Sequence, residues 1–151
     1  MNPLLWVIPV LFFLNGLNPY LGLNTENSYA VFSNLRTELH RSNHLLVRKT
    51  AYLSSCQTDY VKVLETSREL PKRIALQKMV SQCELRNTIA EMAKKVKSGE
   101  VLRIRYLKNE EEVIVENAYA DPYFSKPYPY LVRKLMRFKP VDEDAESLCK
   151  H

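Results

Sequence analysis

The chain has 151 residues, of which 46% are hydrophobic, and its formal net charge is +5 because 22 Lys and Arg outnumber 17 Asp and Glu. This length allows one membrane element and one domain of roughly 100 to 115 residues. The cations are spread along the chain, and no recognisable nucleic-acid-binding module accompanies them. The composition therefore disfavours a nucleic-acid-binding arm. It leaves an ordinary solvated surface and a membrane-facing surface as the two interpretations of the positive charge.

The first notable segment is apolar. From Leu4 to Leu14, eleven residues pass without a polar side chain, and only Pro9 interrupts them. A full membrane span needs about 20 predominantly apolar residues, and Asn and Gly dilute the positions that follow, up to Leu23. We therefore predict that residues 1–23 form a transmembrane or membrane-embedded segment, which Pro9 would kink. A buried core helix is the alternative. A cleaved signal peptide is disfavoured because no A-x-A cleavage site follows.

The chain then changes from apolar to polar. Asn18-Pro19-Tyr20-Leu21-Gly22 predicts a break, because Pro19 disfavours helix at Asn18 and Gly22 permits positive φ. Tyr20 has the amphipathic shape that favours the headgroup zone. Residues 24–43 are expected to form an interfacial connector with a short surface helix at Tyr29 to Leu35. The predicted membrane-interface residues are Tyr20, Tyr29, Phe32 and Arg36.

The residues around this break resemble a segment of a known protein family. NGLNPYLGLNTENSYAVFSNLRTE, followed by SNHLL at Ser42 to Leu46, resembles the segment that follows the last spans of certain bacterial multi-pass membrane proteins. These have a transmembrane domain similar to vitamin K-dependent γ-carboxylase, the HTTM type. The resemblance is weaker at RKLMRFKPVD and at the closing Cys149-Lys150-His151. It implies that the chain corresponds to the carboxy-terminal end of such a protein. None of the carboxylase's catalytic residues matches a position here, so the resemblance implies no activity.

The spacing of the cysteines and histidines does not indicate a metal site. Cys56, Cys83 and Cys149 are an odd number at spacings unlike those of a zinc knuckle. Reduced thiols in a cytosol-facing domain are the simplest interpretation. His40 and His44 would share a helix face, but the Glu of H-E-x-x-H is absent between them. We predict no metal ligand, no cofactor and no catalytic residue.

A globular domain is expected over residues 44–141, with a tail at 142–151. His44 to Val47 would open one strand, and strand-forming residues predict another at Asp59 to Glu65. From Lys72 to Ser98 the apolar residues follow two different helical faces. We therefore predict two helices, Pro71 to Val80 and Cys83 to Lys97, or one sharply kinked helix. A capping box at Ser81 to Glu84 would start the second, and Gly99 would close it.

Alternating residues predict a hairpin beyond this point. Val101 to Leu107 and Glu112 to Asn117 would be its strands, with a four-residue loop between them and arginines paired with glutamates across the strands. Ala118 to Tyr130 holds three prolines and four tyrosines and predicts an extended or looped segment. This segment would either meet a partner or cover a core edge. Arg133 to Val141 is predicted to return as a strand.

The resulting fold class is α+β: one N-terminal membrane-associated helix, then a small, largely antiparallel sheet with two helices on one face. The leading functional hypothesis is a membrane-anchored accessory or structural domain that contacts membrane lipid and other transmembrane helices. We expect no nucleic-acid partner and identify no small-molecule substrate. One alternative is a fragment of a membrane enzyme whose catalytic residues lie in a missing transmembrane domain. The other is a peripheral domain that binds anionic lipid.

The charge distribution also predicts the side of the membrane. Arg36, Arg41, Arg48 and Lys49 follow the apolar segment, and cations near a span favour the cytoplasmic side. The expected location is the membrane, with the domain after residue 24 facing the cytoplasm.

Overall fold

The computed structural model describes residues 3–23, 51–53, 55–74, 76–97, 99–138 and 140–141. Its architecture is α+β, as predicted, with a four-stranded antiparallel sheet in the order β2-β1-β3-β4. The strands are β1 (Tyr60–Thr66), β2 (Met79–Ser81), β3 (Ile104–Lys108) and β4 (Glu111–Val115). The α-helices of the described residues are α1 (Val7–Leu17), α2 (Gln82–Ala93) and α3 (Tyr130–Leu135).

The core lies where β1 and β3 meet α2. Val61 and Val63 on β1, and Ile104 on β3, are fully buried and cluster with Leu85 and Ile89 of α2. The strand residues alternate with more exposed neighbours, while the helix residues are one turn apart, so each element presents one apolar face to the other. The core cluster also includes Val80, Leu102, Tyr106, Ala118 and Phe124. The prediction of β1 is confirmed, with both ends one residue later than expected.

The predicted hairpin is confirmed, with a tighter turn. β3 and β4 pair from Ile104 with Val115 to Lys108 with Glu111, so the turn has two residues rather than the predicted four. Asn109 and Glu110 have φ angles of 50° and 68°, and positive φ at both positions is what a type I′ turn requires. The sequence carries the favourable Asn but not the Gly that usually follows it. This missing Gly is why the short turn was not predicted.

The predicted pairing of arginines with glutamates across the hairpin is also confirmed. The guanidinium of Arg105 lies 3.3 Å from Glu112 and 3.2 Å from Glu65, on the two neighbouring strands. Arg103 lies 3.3 Å from Glu116. These groups are about half exposed or more, so each pair stabilises the sheet only slightly.

The predicted helix at Pro71 to Val80 is wrong. The described residues there form turns, after which Met79 and Val80 enter β2 and pair antiparallel with β1. Gln77 has a φ of 65° and donates its backbone N–H to the Val63 carbonyl. Ile74 is buried in the core. The apolar residues of this segment therefore reach the core through an irregular chain. The expected interruption before the second helix is confirmed, because α2 begins at Gln82.

The second predicted helix is confirmed as α2, although it ends at Ala93 rather than Lys97. Ser81 is its N-cap residue but caps no backbone N–H with its side chain. Its hydroxyl instead donates to the Cys56 carbonyl. Glu84, the other half of the predicted capping box, lies 3.4 Å from Arg73. Both side chains thus have tertiary partners, and the predicted capping box does not form.

The predicted strand at Arg133 to Val141 is wrong over its first half. Tyr130–Leu135 is the short helix α3, which begins directly after Pro129. Beyond α3, Arg137 and Val141 are isolated bridge residues, and Val141 pairs antiparallel with Met79 at the outer side of β2. The predicted strand at His44 to Val47 lies outside the described residues.

The amino-terminal helix differs from its prediction at Pro19. Pro9 is the third residue of α1, and the backbone N–H groups of a first turn have no partner within the helix. A 3-10 turn, Pro3–Trp6, leads directly into α1, and the kink predicted at Pro9 stays a prediction. Asn18 keeps helical dihedrals, and Asn18–Leu21 continues as a 3-10 turn. The helical path ends at Gly22, whose φ is 69°, so the predicted positive-φ turn at Gly22 is confirmed, although the helical path does not stop at Asn18.

Candidate functional site

Helix α1, together with Leu5 and Trp6 of the 3-10 turn directly before it, exposes apolar side chains on every side. Nine large hydrophobic residues between Leu5 and Leu14 are 49% to 69% exposed, and no residue of α1 is buried. Since consecutive residues of a helix are rotated by about 100°, nine such residues in ten positions surround the axis. A helix that is apolar all round is normally buried in protein or in a membrane. This surface is the first functional candidate.

The predicted interface residue Tyr20 lies at the end of this helix. It is half-buried in the 3-10 turn, and its backbone carbonyl accepts a 2.9 Å hydrogen bond from the Ala51 N–H. The carbonyl of Leu21 likewise accepts from Leu53 at 3.2 Å. The other predicted interface residues, Tyr29, Phe32 and Arg36, lie outside the described residues, as do His40 and His44.

In the described ranges, no helix combines the length and the apolar character that a membrane crossing needs. The same ranges hold no group of three His, Cys, Asp or Glu side chains that could bind a metal ion.

The second candidate is a polar cleft between α2 and α3, with a cavity of about 100 Å³. Four cationic and two acidic residues line it together with three neutral polar ones. From α2 come Glu84, Asn87, Thr88 and Glu91; from α3 come Tyr130, Arg133 and Lys134; Arg73 and Arg137 complete the set. We call this set the arginine cleft. It was not predicted from the sequence.

Ion pairs inside the arginine cleft neutralise part of its positive charge. Arg73 lies 3.4 Å from Glu84, whose side chain is only 5% exposed, and 3.9 Å from Glu91. Arg133 Nη1 donates a 2.7 Å hydrogen bond to Glu91 Oε1. A buried carboxylate is stable only when it is paired or hydrogen-bonded. These two arginines therefore balance the two acids of the cleft.

The Tyr- and Pro-rich segment, Ala118 to Tyr130, packs against α2 beside the cleft. Arg86 of α2 stacks over the rings of Tyr123 and Tyr128, at 4.9 and 4.5 Å from their centroids, and its Nε donates to the Lys126 carbonyl at 2.7 Å. Asn87 Oδ1 accepts a 3.0 Å hydrogen bond from the Tyr128 N–H. These contacts fix the segment that leads into α3, so this segment covers α2 and positions the cationic helix against it.

A disulfide adjoins the same segment. Cys56 and Cys83 are bonded, with their Cα atoms 5.3 Å apart, and both are buried in a small second cluster with Phe138. The prediction of reduced thiols is therefore wrong for this pair. The sequence does not predict this disulfide, because the cysteine count is odd and the two bonded cysteines are 27 residues apart in the chain. Cys149 lies outside the described residues.

Comparison with protein-family models, curated proteins and solved structures finds no match to this chain. The HTTM-type resemblance accordingly stays a prediction.

Proposed function

We propose that this chain is a membrane-attached accessory domain. In this proposal α1 is embedded in the hydrocarbon of one leaflet, and the α+β domain forms contacts at the membrane surface. The observation that carries the proposal is the apolar surface of α1, which is exposed around the whole helix. Continuous apolar surfaces of this kind mark membrane or protein contact sites.

The size of the driving force supports insertion. Complete burial of a large apolar side chain is favourable by about 1.5–3 kcal/mol. Nine such side chains, each exposed by about half or more, therefore contribute on the order of 10 kcal/mol when they leave water. The eleven residues of α1 rise by about 16 Å, roughly half of a ~30 Å hydrocarbon core. Embedding in one leaflet fits this length.

Lipid is the occupant that we favour, with helices of a multi-pass protein as a second source of apolar contact. The resemblance of residues 15–46 to the segment after the last HTTM-type spans supports a place at the edge of such a protein. In either setting the accessory role rests on α1.

The side of the membrane is the remaining part of the proposal. The Cys56–Cys83 disulfide favours an oxidising compartment, because disulfides rarely persist in the cytosol. The cations after the apolar segment favour the cytoplasmic side. We propose that the domain lies on the oxidising side of the membrane, because the persistence of a disulfide depends directly on the redox state of its compartment. The test is to quench source cells with acid, alkylate free thiols and compare masses with and without reduction. Alkylated Cys56 and Cys83 would place the domain in the cytoplasm instead.

The test of insertion compares two double variants with neutral phosphatidylcholine vesicles. Ile8→Lys/Leu11→Lys places two charges on α1, where each costs roughly 2.5–3.5 kcal/mol in a membrane. Leu76→Lys/Ile114→Lys is the matched control, since both residues are 49% exposed and lie outside α1. We expect the unmodified chain and the control to remain with the vesicles after carbonate or high-salt washing, and the α1 variant to be released.

A chain starting at Asn24 should be released in the same way. If the α1 variant and the shortened chain stay with the vesicles as well as the unmodified chain does, α1 is not the membrane contact and the proposal fails.

A further inference from the structure

We propose that the arginine cleft binds a phosphoryl group, carried either by free phosphate or by a lipid headgroup. The site is distinct from α1, and the inference does not depend on membrane attachment. It rests on three properties of the cleft: unbalanced positive charge, a buried donor without an acceptor, and a cavity of suitable size.

The first property is charge. The acids Glu84 and Glu91 are paired with Arg73 and Arg133. Lys134 and Arg137 line the same cavity, and among the described residues neither has a carboxylate within ion-pair distance. Lys134 instead lies 5.5 Å from the ring centroid of Tyr130. The cleft thus keeps two positive charges after its internal pairs are formed, which matches a doubly charged anion.

The second property is the state of Arg133. This side chain is 24% exposed, and its Nη1 is engaged by Glu91. Its Nε is buried without a hydrogen-bond partner in the part of the chain that the structure describes. Buried donors are almost always satisfied by protein, water or ligand. Arginine is also the residue best suited to phosphate, because its planar donors match the spacing of phosphate oxygens. Arg133 lines the cavity, so a small rotation of its side chain would bring this donor to an anion oxygen there.

The third property is size. The cavity of about 100 Å³ is several times the ~10–15 Å³ of cavity volume that one water needs. A tetrahedral group of five heavy atoms fits this space. Any larger body attached to the phosphoryl group must lie outside the cleft, beside the exposed Tyr130 at its rim. A headgroup phosphate with its lipid outside meets this condition as well as free phosphate does.

The experiment titrates the full chain, held in detergent, with inorganic phosphate at constant ionic strength and follows the heat of binding. Lys134→Gln/Arg137→Gln removes the two unbalanced cations. Lys94→Gln/Lys95→Gln is the matched control, because it removes the same charge from exposed positions just beyond α2 and outside the cleft. Arg133→Lys keeps the charge but removes the Nε donor. Thermal unfolding followed by circular dichroism verifies that each variant is folded.

We expect saturable binding by the unmodified chain, at least ~10-fold weaker binding by the cleft double variant, and binding within about twofold by the control. Arg133→Lys should weaken binding although it preserves charge. A second arm uses phosphatidylcholine vesicles with and without phosphatidic acid. Cleft-dependent binding of free phosphate identifies the free anion as sufficient. Cleft-dependent binding confined to phosphatidic acid vesicles identifies the headgroup. Absence of saturable binding in both arms, or equal loss in both double variants, overturns the proposal.

Discussion

The Cys56–Cys83 disulfide gives the sharpest stability prediction. It closes a loop of 27 residues that contains β1, the turns around Ile74 and β2. We expect Cys56→Ala/Cys83→Ala to lower the free energy of unfolding, because the unfolded chain regains the freedom that the cross-link removes. The replacement also deletes buried sulfur atoms from the cluster with Phe138, which adds a smaller packing loss.

The loop length sets the magnitude. With 27 residues in the loop, the chain-entropy relation gives about 3.5 kcal/mol at 25 °C. One kcal/mol shifts the melting temperature of a domain of 60–100 residues by about 4–8 °C. The double variant should therefore melt more than ~10 °C below its parent.

The assay is urea unfolding of the full chain in a Cys149→Ser background, so that the remaining thiols report only on this pair. The parent is measured oxidised and after reduction, and the double variant is measured alongside. We expect the reduced parent and the double variant to have similar unfolding free energies, both about 3.5 kcal/mol below the oxidised parent. If reduction changes the free energy by less than about 0.5 kcal/mol, the reasoning is refuted.

Two further predictions concern the sheet. Glu110 has a φ of 68° in a two-residue hairpin turn, so Glu110→Gly should raise the free energy of unfolding by about 0.5–1 kcal/mol. Glu111→Gly, one residue later in β4, should lower it; a loss from both changes would contradict the turn assignment. Burial, with a smaller contribution from the Asp121 carboxylate, raises the pKa of Tyr106 above its ordinary value of 10.0 in the folded chain. The unfolded chain therefore loses this proton first, and stability should be unaffected by this group below about pH 10 and fall above it. Tyr106→Phe should reduce that alkaline decrease in urea titrations, and an unchanged decrease would exclude this tyrosine as its source.

The sequence correctly predicts the elements in which buried and exposed residues alternate with the period of a strand or of a helix. In β3 the alternation of Ile104 and Tyr106 with Arg105 agrees with the period of a half-buried strand. In α2 the stripe through Leu85 and Ile89 agrees with the period of a helix packed on a sheet. Local pattern and burial give the same answer in these elements, so both were predicted.

The sequence fails where distant contacts decide the structure. Ile74 is buried in the core although it lies in a turn. Met79 and Val80 belong to a strand that pairs with β1. The helical spacing of the apolar residues in this segment therefore does not reflect a helix. Arg133 to Val141 was assigned to a strand, although Pro129 precedes a short helix there. In both segments tertiary packing overrides a short apolar pattern.

The arginine cleft was missed for the same reason, although a signal was present. Its residues from α2 lie at positions 84, 87, 88 and 91, and those around α3 at 130, 133, 134 and 137. Positions 84, 87, 88 and 91 follow the spacing of one helix face, as do 130, 133 and 134, whereas 137 lies beyond the end of α3. That spacing has meaning only when both segments are known to be helical. The second segment had been assigned to a strand, so its cations were divided between two faces.

A short physical path connects the apolar helix to the arginine cleft. The last turn after α1 accepts hydrogen bonds from Ala51 and Leu53, and Cys56 follows three residues later. The disulfide fixes Cys56 to Cys83, which directly precedes Glu84, the buried acid of the cleft. The first turn of α2 is therefore held from both sides, by the disulfide and by Arg73. A rigid α2 keeps its polar face aligned with α3, and this is the condition under which the half-buried Arg133 can present its guanidinium to an anion.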